Sequence, residues 1–348
     1  MSTSSVKYAI KDEDVFSEIS KWQHDKVVNQ YKIKPLSVEV EITNLCNQQC
    51  PHCGMAANQI NGRTLWSSDE LHSLVDDLHN VGIPSISVTG GEPFLNFDRL
   101  CDCLSYCRNK IDICKLSSNG FWGNDPKFYF DKLVSCGLFD NKFFIPCLLL
   151  PIGEQKIPWE YIHNIINYVC MTFGENDIHI GITHIREYGN PSMLYQFVDA
   201  YENEYGDFPS DRVFVTEYRY INSHVMINKA KASYHPVADF LVDDKRCFDS
   251  SVGRNVLPKL FVKCDGRCYP CVCFNVPEEL CLGNYFEQGI ENILEKFNNN
   301  KYVNLVRECG LAGFAKFLPD DVLTNMTASN GCEACERCIK YCESHNSI

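Results

Sequence analysis

From Leu36 to Ile42 apolar and polar residues alternate: Leu36, Val38, Val40 and Ile42 against Ser37, Glu39 and Glu41. That two-residue period predicts a strand with one face in a core. Ser67-Ser68-Asp69-Glu70 then opens a helix, with Ser67 as N-cap and Glu70 completing a capping box. Leu71, Leu74, Val75 and Leu78 form its apolar face and Gly82 ends it. Further strands are expected over Ser85–Thr89, about Ile113–Ser118, Lys142–Leu150, Asp177–Thr183 and Arg212–Tyr218. Helices separate them, over about Phe97–Arg108, Pro126–Cys136, Trp159–Thr172 and Ser192–Tyr205. Strand alternating with helix is the signature of a parallel sheet. Six such repeats predict an α/β fold built as an open, partial (β/α)6 barrel. Ahead of them, Asp12-Glu13-Asp14 precedes Val15, Phe16, Ile19 and Trp22, a helix with an acidic first turn. The expected division is an N-terminal helical extension over residues 1–35, the barrel over 36–235, and a cysteine-rich domain over 236–348.

Composition narrows the class. The 348 residues are 45% hydrophobic, enough for a substantial core, and carry a net charge of −13. An acidic chain is a poor nonspecific nucleic-acid binder, so no nucleic-acid partner is expected. The longest apolar run, about Phe143 to Ile152, is too short to span a bilayer and contains Pro146. Met1 to Asp14 has no apolar stretch of the kind that directs secretion. Cysteine is the outlier, at 21 residues. Disulfide-rich secreted chains are short, so a reduced, cytoplasmic, iron-binding protein is the better expectation, with no membrane partner.

Three of the thiols stand together in Cys46-Asn47-Gln48-Gln49-Cys50-Pro51-His52-Cys53, spaced C-x3-C-x2-C just after the first strand. A [4Fe-4S] cube is ordinarily held by four cysteines. Three ligands leave one iron open to a small molecule. Structural zinc requires four closed ligands, and the next cysteine is Cys101. The second strand ends in Thr89-Gly90-Gly91-Glu92-Pro93 and the third in Ser117-Ser118-Asn119-Gly120. Read alone, the first is a turn and the second an Asn-Gly turn.

Together these motifs resemble the radical SAM superfamily. The resemblance implies a [4Fe-4S] cluster on Cys46, Cys50 and Cys53, whose open iron takes S-adenosylmethionine. Gly90, Gly91 and Glu92 match the family motif that binds the methionyl amine. Ser118 and Asn119 stand where relatives bind ribose and the methionyl carboxylate. His52 occupies the position of a residue near adenine. On the fifth strand, alternation places His179, Gly181 and Thr183 on one face; the resemblance puts Gly181 beside adenine and makes His179 a candidate neighbour, although a lone strand histidine is as readily a core residue.

Residues 247 to 342 hold eleven cysteines. Lys263 to Cys271 reads as a hairpin turning at Asp265-Gly266, and a helix is expected over about Asn304 to Leu318. The tail Cys332-x2-Cys335-x2-Cys338-x3-Cys342 has the spacing of a ferredoxin run without its proline; a zinc site is the alternative. This layout resembles a SPASM or twitch domain. The resemblance implies an auxiliary [4Fe-4S] cluster on Cys247, Cys271, Cys332 and Cys335, and leaves a second open, on Cys338 and Cys342 with two of Cys264, Cys268, Cys273 and Cys309.

The string Asn119-Gly120-Phe121-Trp122-Gly123 recurs in relatives that modify ribosomally made peptides, among them peptide epimerases. The implied activity is reductive cleavage of S-adenosylmethionine and hydrogen abstraction from a precursor peptide, ending in epimerisation or a cross-link. The implied electron donor is a flavodoxin or ferredoxin. Two departures qualify it. Val272 stands where the epimerases carry their hydrogen-donating cysteine, and Lys259 where an acidic residue is expected. Cys273 is the candidate donor in place of Val272, and alternation turns it to the side of Cys271 unless the hairpin bulges. Two other readings stay open: a radical SAM dehydrogenase or rearrangement enzyme for a small molecule, and a non-enzymatic zinc or iron-sulfur protein.

Overall fold

The alternating segment at the start of the barrel forms β1 (Ser37–Thr43), and the capping box at Ser67 opens α1 (Ser68–Val81) with both its reciprocal hydrogen bonds present. The coordinates are a computed structural model, which describes residues 35–50, 64–137, 147–152, 157–173, 179–185, 192–218, 235–241, 259–271, 278–328 and 331–348. β2 (Ser85–Gly90), α2 (Phe97–Cys107), β3 (Ile113–Ser117), α3 (Pro126–Ser135) and β4 (Cys147–Ile152) follow. Next come α4 (Trp159–Thr172), β5 (His179–Ile185), α5 (Ser192–Tyr205) and β6 (Val213–Tyr218). The expected strand and helix order is therefore present. The expected starts of the fourth and fifth strands, at residues 142–146 and 177–178, lie outside the described residues, as does the N-terminal extension.

β1 to β6 are parallel and lie side by side in chain order. Right-handed crossovers between successive neighbours place every connecting helix on the same face. That face is apolar: Val38, Val40, Ile42, Ile86, Val88, Cys114, Leu116, Ile180 and Ile182 are buried in one core with Leu71, Leu100, Leu133 and Ile162 from the helices. The opposite face carries Glu39, Glu41, Ser85, Ser87, Thr89, Lys115 and Ser117 in register. β6 ends the sheet unpaired on one side among the described residues, so the barrel is open as expected.

The other edge was not foreseen. β8 (Lys259–Val262) pairs parallel with β1, Val38 opposite Leu260 and Val40 opposite Val262. β9 (Arg267–Tyr269) returns antiparallel and β10 (Gly283–Asn284) pairs with it. The hairpin does turn at Asp265-Gly266, where Gly266 has a φ of 86°, a region only glycine enters freely. The C-terminal region thus continues the barrel's own sheet. A second contact is β7 (His235–Pro236), paired with β11 (Thr327–Ala328); the expected boundary at 235 falls inside it.

α6 (Tyr285–Asn299) locks this region to the barrel. Trp66 stacks on Tyr285 with ring centroids 5.9 Å apart, and the Tyr285 hydroxyl donates to Asp77 Oδ2 at 2.9 Å. α7 (Lys301–Cys309), α8 (Asp320–Asn325) and α9 (Gly331–His345) complete the chain. The single helix expected over 304–318 is instead α7 and a 3-10 turn, Leu311–Lys316. Gly310 separates them with a φ of 61°, which an α-helix does not accommodate.

Candidate active site

Parallel strands bring the loops after β1, β2 and β3 to one end of the sheet, and these loops carry the three motifs. The cysteine loop leaves β1 and returns beside it: Trp66 N donates to Ile42 O at 3.1 Å and Asn44 N to Thr64 O at 3.2 Å. Thr43 holds the exit, its hydroxyl donating to Thr64 O at 2.8 Å and accepting from Leu45 N at 3.2 Å. The turn after β2 grips the same stretch. Gly91 N donates to Thr43 O at 2.7 Å and Glu92 N to Leu45 O at 2.8 Å.

This packing explains the two glycines. A Cβ on Gly90 would enter the Thr43 carbonyl oxygen, and one on Gly91 the Leu45 carbonyl oxygen. Gly90 also has a φ of 150°. Sequence reasoning gave these glycines to close approach of a ligand; what approaches them here is the backbone of the cysteine loop.

Glu92 is fully buried. Its Oε1 accepts from Phe94 N at 3.0 Å and from the Ser118 hydroxyl at 2.9 Å. Its Oε2 accepts from Asn119 N at 2.6 Å. Desolvation pushes its carboxyl up to about 7, against the pull of these three donors. Ser118 Oγ also accepts from Gly120 N at 3.1 Å and Trp122 Nε1 at 2.9 Å, which uses its full hydrogen-bonding capacity. Trp122 is fully buried and stacks on Phe94, centroids 4.6 Å apart.

Asn119 carries the link to the thiols. Its Nδ2 donates to Asn47 Oδ1 at 2.8 Å and lies 3.9 Å from Cys46 Sγ. Cys46 Sγ also accepts from Gln48 N at 3.3 Å. Two N–H groups are thus directed at this one half-buried sulfur. Cys50 is half-buried on the same loop. His52 and Cys53 lie outside the described residues. The Cys46 and Cys50 thiols are a donor set that fits iron-sulfur ligation, and Cys46 lies beside the Glu92–Ser118–Asn119 knot.

β5 sets Gly181 opposite Leu149 and Phe214, on the face shared with Lys115, Ser117 and Glu41. Gly181 is buried. His179 holds a position on the same face, opposite Cys147.

Sequence reasoning missed Glu41. It is 1% exposed on the polar face of β1. Its Oε2 accepts from Cys264 N at 3.0 Å, and its Oε1 has no hydrogen-bond partner among the described residues. Burial pushes this carboxyl up to about 7. Lys263 is adjacent, its ammonium 4.7 Å from the Tyr269 ring centroid, and burial lowers that amine. The alternation of β1 flagged Glu41 as an outward residue; the hairpin that covers it comes from the far end of the chain.

In the C-terminal region Cys271 and Cys335 are half-buried. Cys247, Val272 and Cys273 lie outside the described residues, and Cys332 is the second residue of α9. The quartet Cys264, Cys268, Cys338 and Cys342 is not brought together: among the described residues no three His, Cys, Asp or Glu side chains gather on a metal-sized site. Cys264 packs under β1, its Sγ 3.9 Å from Ile42 O. Cys338 and Cys342 are four apart on α9, one helical turn, and both are fully buried. Burial pushes the Cys338 thiol up to about 12, as in an inert core cysteine. Lys259, in place of the expected acid, opens β8 and pairs with Ser37 of β1. No helix among the described residues is long and apolar enough to cross a membrane.

Comparison with known proteins agrees with this geometry. Residues 40–145 match the model of the radical SAM superfamily, and residues 255–339 that of SPASM, an iron-sulfur cluster-binding domain. The putative peptide biosynthesis protein YydG of Bacillus subtilis (strain 168) is 22% identical over 293 residues, covering 82% of this chain and 84% of its own. The crystal structure of Streptococcus suis SuiB bound to S-adenosylmethionine superposes with a TM-score of 0.55 at 16% identity, over 85% of this chain and 76% of that one. SuiB bound to the precursor peptide SuiA gives 0.54 at 17% identity, over 85% and 74%.

Proposed function

The chain is a radical SAM enzyme with a C-terminal SPASM domain, and from that premise we propose that it modifies a residue of a ribosomally made peptide. Its cofactors are S-adenosylmethionine and [4Fe-4S] clusters. When bound, they supply a 5′-deoxyadenosyl radical that takes a hydrogen atom from the substrate; the protein supplies orientation and exclusion of water.

In this reading Cys46, Cys50 and Cys53 hold the radical SAM cluster. The observation that carries the site is the knot in which buried Glu92 accepts from Ser118 and Asn119 while Asn119 reaches Cys46. It supports reading the Glu92 carboxylate, next to the cysteine loop, as the acceptor for an ammonium. Gly90 and Gly91 hold that carboxylate against the cysteine loop. Ser118, Asn119, Gly181, His179 and His52 line the rest of the S-adenosylmethionine site. Cys271 and Cys335, with Cys247 and Cys332, hold an auxiliary cluster. Cys273 remains the candidate hydrogen donor. The domain limits of this reading are 36–235 and 236–348, after an extension over 1–35.

The peptide substrate is supported by the similarity to YydG over most of both chains and by the fold shared with SuiB. A flavodoxin- or ferredoxin-type donor supplies the electron, in the cytoplasm. The test is mass spectrometry of a small peptide encoded beside this chain, after reaction in D2O. One hydrogen replaced by deuterium means epimerisation. Loss of two hydrogens means a cross-link or desaturation. An unchanged peptide, with S-adenosylmethionine still cleaved, turns the reading to a small-molecule substrate.

A further inference from the structure

A second pair of thiols stands outside this site, on the outer helical face. The first turn of α2 meets α3. Phe97 meets Tyr129 with centroids 4.8 Å apart, and Lys132 Nζ pairs with Asp98 Oδ1 at 2.8 Å. One turn farther along both helices are Cys101 and Cys136. Helical spacing carries the contact on to them, and the Cys101 thiol faces the Cys136 sulfur. Cys101 is 6% exposed, whereas Cys136 is half-buried, so a small reagent reaches Cys136 first. Around this pair the Ser105 hydroxyl donates to Cys101 O at 2.8 Å and the Ser135 hydroxyl to Lys132 O at 2.6 Å. The Cys101 thiol, the leading cause, lowers the Cys136 thiol to about 6. Cys103, Cys107 and Cys114 are fully buried nearby and out of a reagent's reach.

We propose that Cys136 and Cys101 form a two-thiol redox site that reduces a low-molecular-weight disulfide and closes as a bridge between α2 and α3. The Cys136 thiolate attacks one sulfur of the disulfide, its S–S bond breaks, and one thiolate leaves. Cys101 then attacks the Cys136 sulfur of the mixed disulfide, and the second thiolate leaves with the proton Cys101 gives up. Two electrons pass from the protein to the reagent, which ends as two thiols. The bridge ties the helix that follows the Glu92 turn to the one that follows the Asn119 turn.

The test uses the anaerobic, cluster-loaded protein with oxidised glutathione, followed by alkylation and peptide mapping without reductant. The expected product is a cross-linked peptide pair holding Cys101 and Cys136. Cys101→Ser is expected to stop at glutathione on Cys136, and Cys136→Ser to leave Cys101 alkylated. Wild-type protein in which both thiols remain alkylated, or in which glutathione stays on Cys136, overturns the proposal. The wild-type map decides this whether or not either variant folds.

Discussion

The backbone N–H of Asn119 donates to Glu92 Oε2 at 2.6 Å, joining the end of β3 to the end of β2 beneath the cysteine loop. The same asparagine's amide reaches Cys46 at 3.9 Å. Glu92 is therefore tied through Asn119 to Cys46 of the cysteine loop.

Glu92→Gln is expected to damage this arrangement. Three donors converge on the carboxylate, and an amide turns one of its own donors against them. A buried donor left without an acceptor costs ~1–3 kcal/mol. Formation of 5′-deoxyadenosine is expected to fall at least about tenfold, since ~1.4 kcal/mol is a factor of ten. Chromatography of 5′-deoxyadenosine and a thermal melt of the same variant check both effects.

Gly90→Ala and Gly91→Ala are expected to displace the cysteine loop, because each new methyl group enters a loop carbonyl. Overpacking of this kind costs ~1–3 kcal/mol. Iron content is expected to drop by the share of one cluster while the C-terminal domain keeps its own. Unchanged iron and unchanged S-adenosylmethionine cleavage in both variants would show that the loop does not need this fit.

Glu41 gives a pH signature. Its folded carboxyl titrates near 7 through burial, above the ordinary value of 4.5. Between those values the folded state binds the extra proton, so this group's contribution to stability declines as pH rises from about 4.5 to about 7, then levels off. Glu41→Gln lacks that titration and still offers an acceptor to Cys264. The melting temperature of the variant minus that of the wild type is expected to rise from pH 5 to pH 8. A flat or falling difference would place the charge elsewhere.

The helical and strand order, the capping box and the site motifs were legible because each rests on local spacing. Glu41 was not. In the chain it is one more polar residue of an alternating strand, and its burial comes from a hairpin 223 positions away. The parallel pairing of β8 with β1 is equally nonlocal. The helix expected through Gly310 failed on one backbone angle, which periodicity does not register. The glycines were recognised as a site motif, but their contact with the backbone of the cysteine loop was not, since sequence shows that space is needed and not what fills it.

Iron analysis tests the auxiliary cluster. Two [4Fe-4S] cubes hold roughly eight irons per chain, and Cys335→Ala is expected to lower that toward four with S-adenosylmethionine cleavage retained. A wild-type protein saturating at four irons would remove the auxiliary cluster.

The most direct measurement is chromatography of the anaerobically reconstituted protein after incubation with dithionite and S-adenosylmethionine. Wild-type protein is expected to give 5′-deoxyadenosine and methionine in equal amounts, and Cys46→Ala, Cys50→Ala and Cys53→Ala none. An iron-loaded wild-type protein that forms no 5′-deoxyadenosine, or a triple-cysteine site whose loss leaves it unchanged, would contradict radical chemistry at this loop.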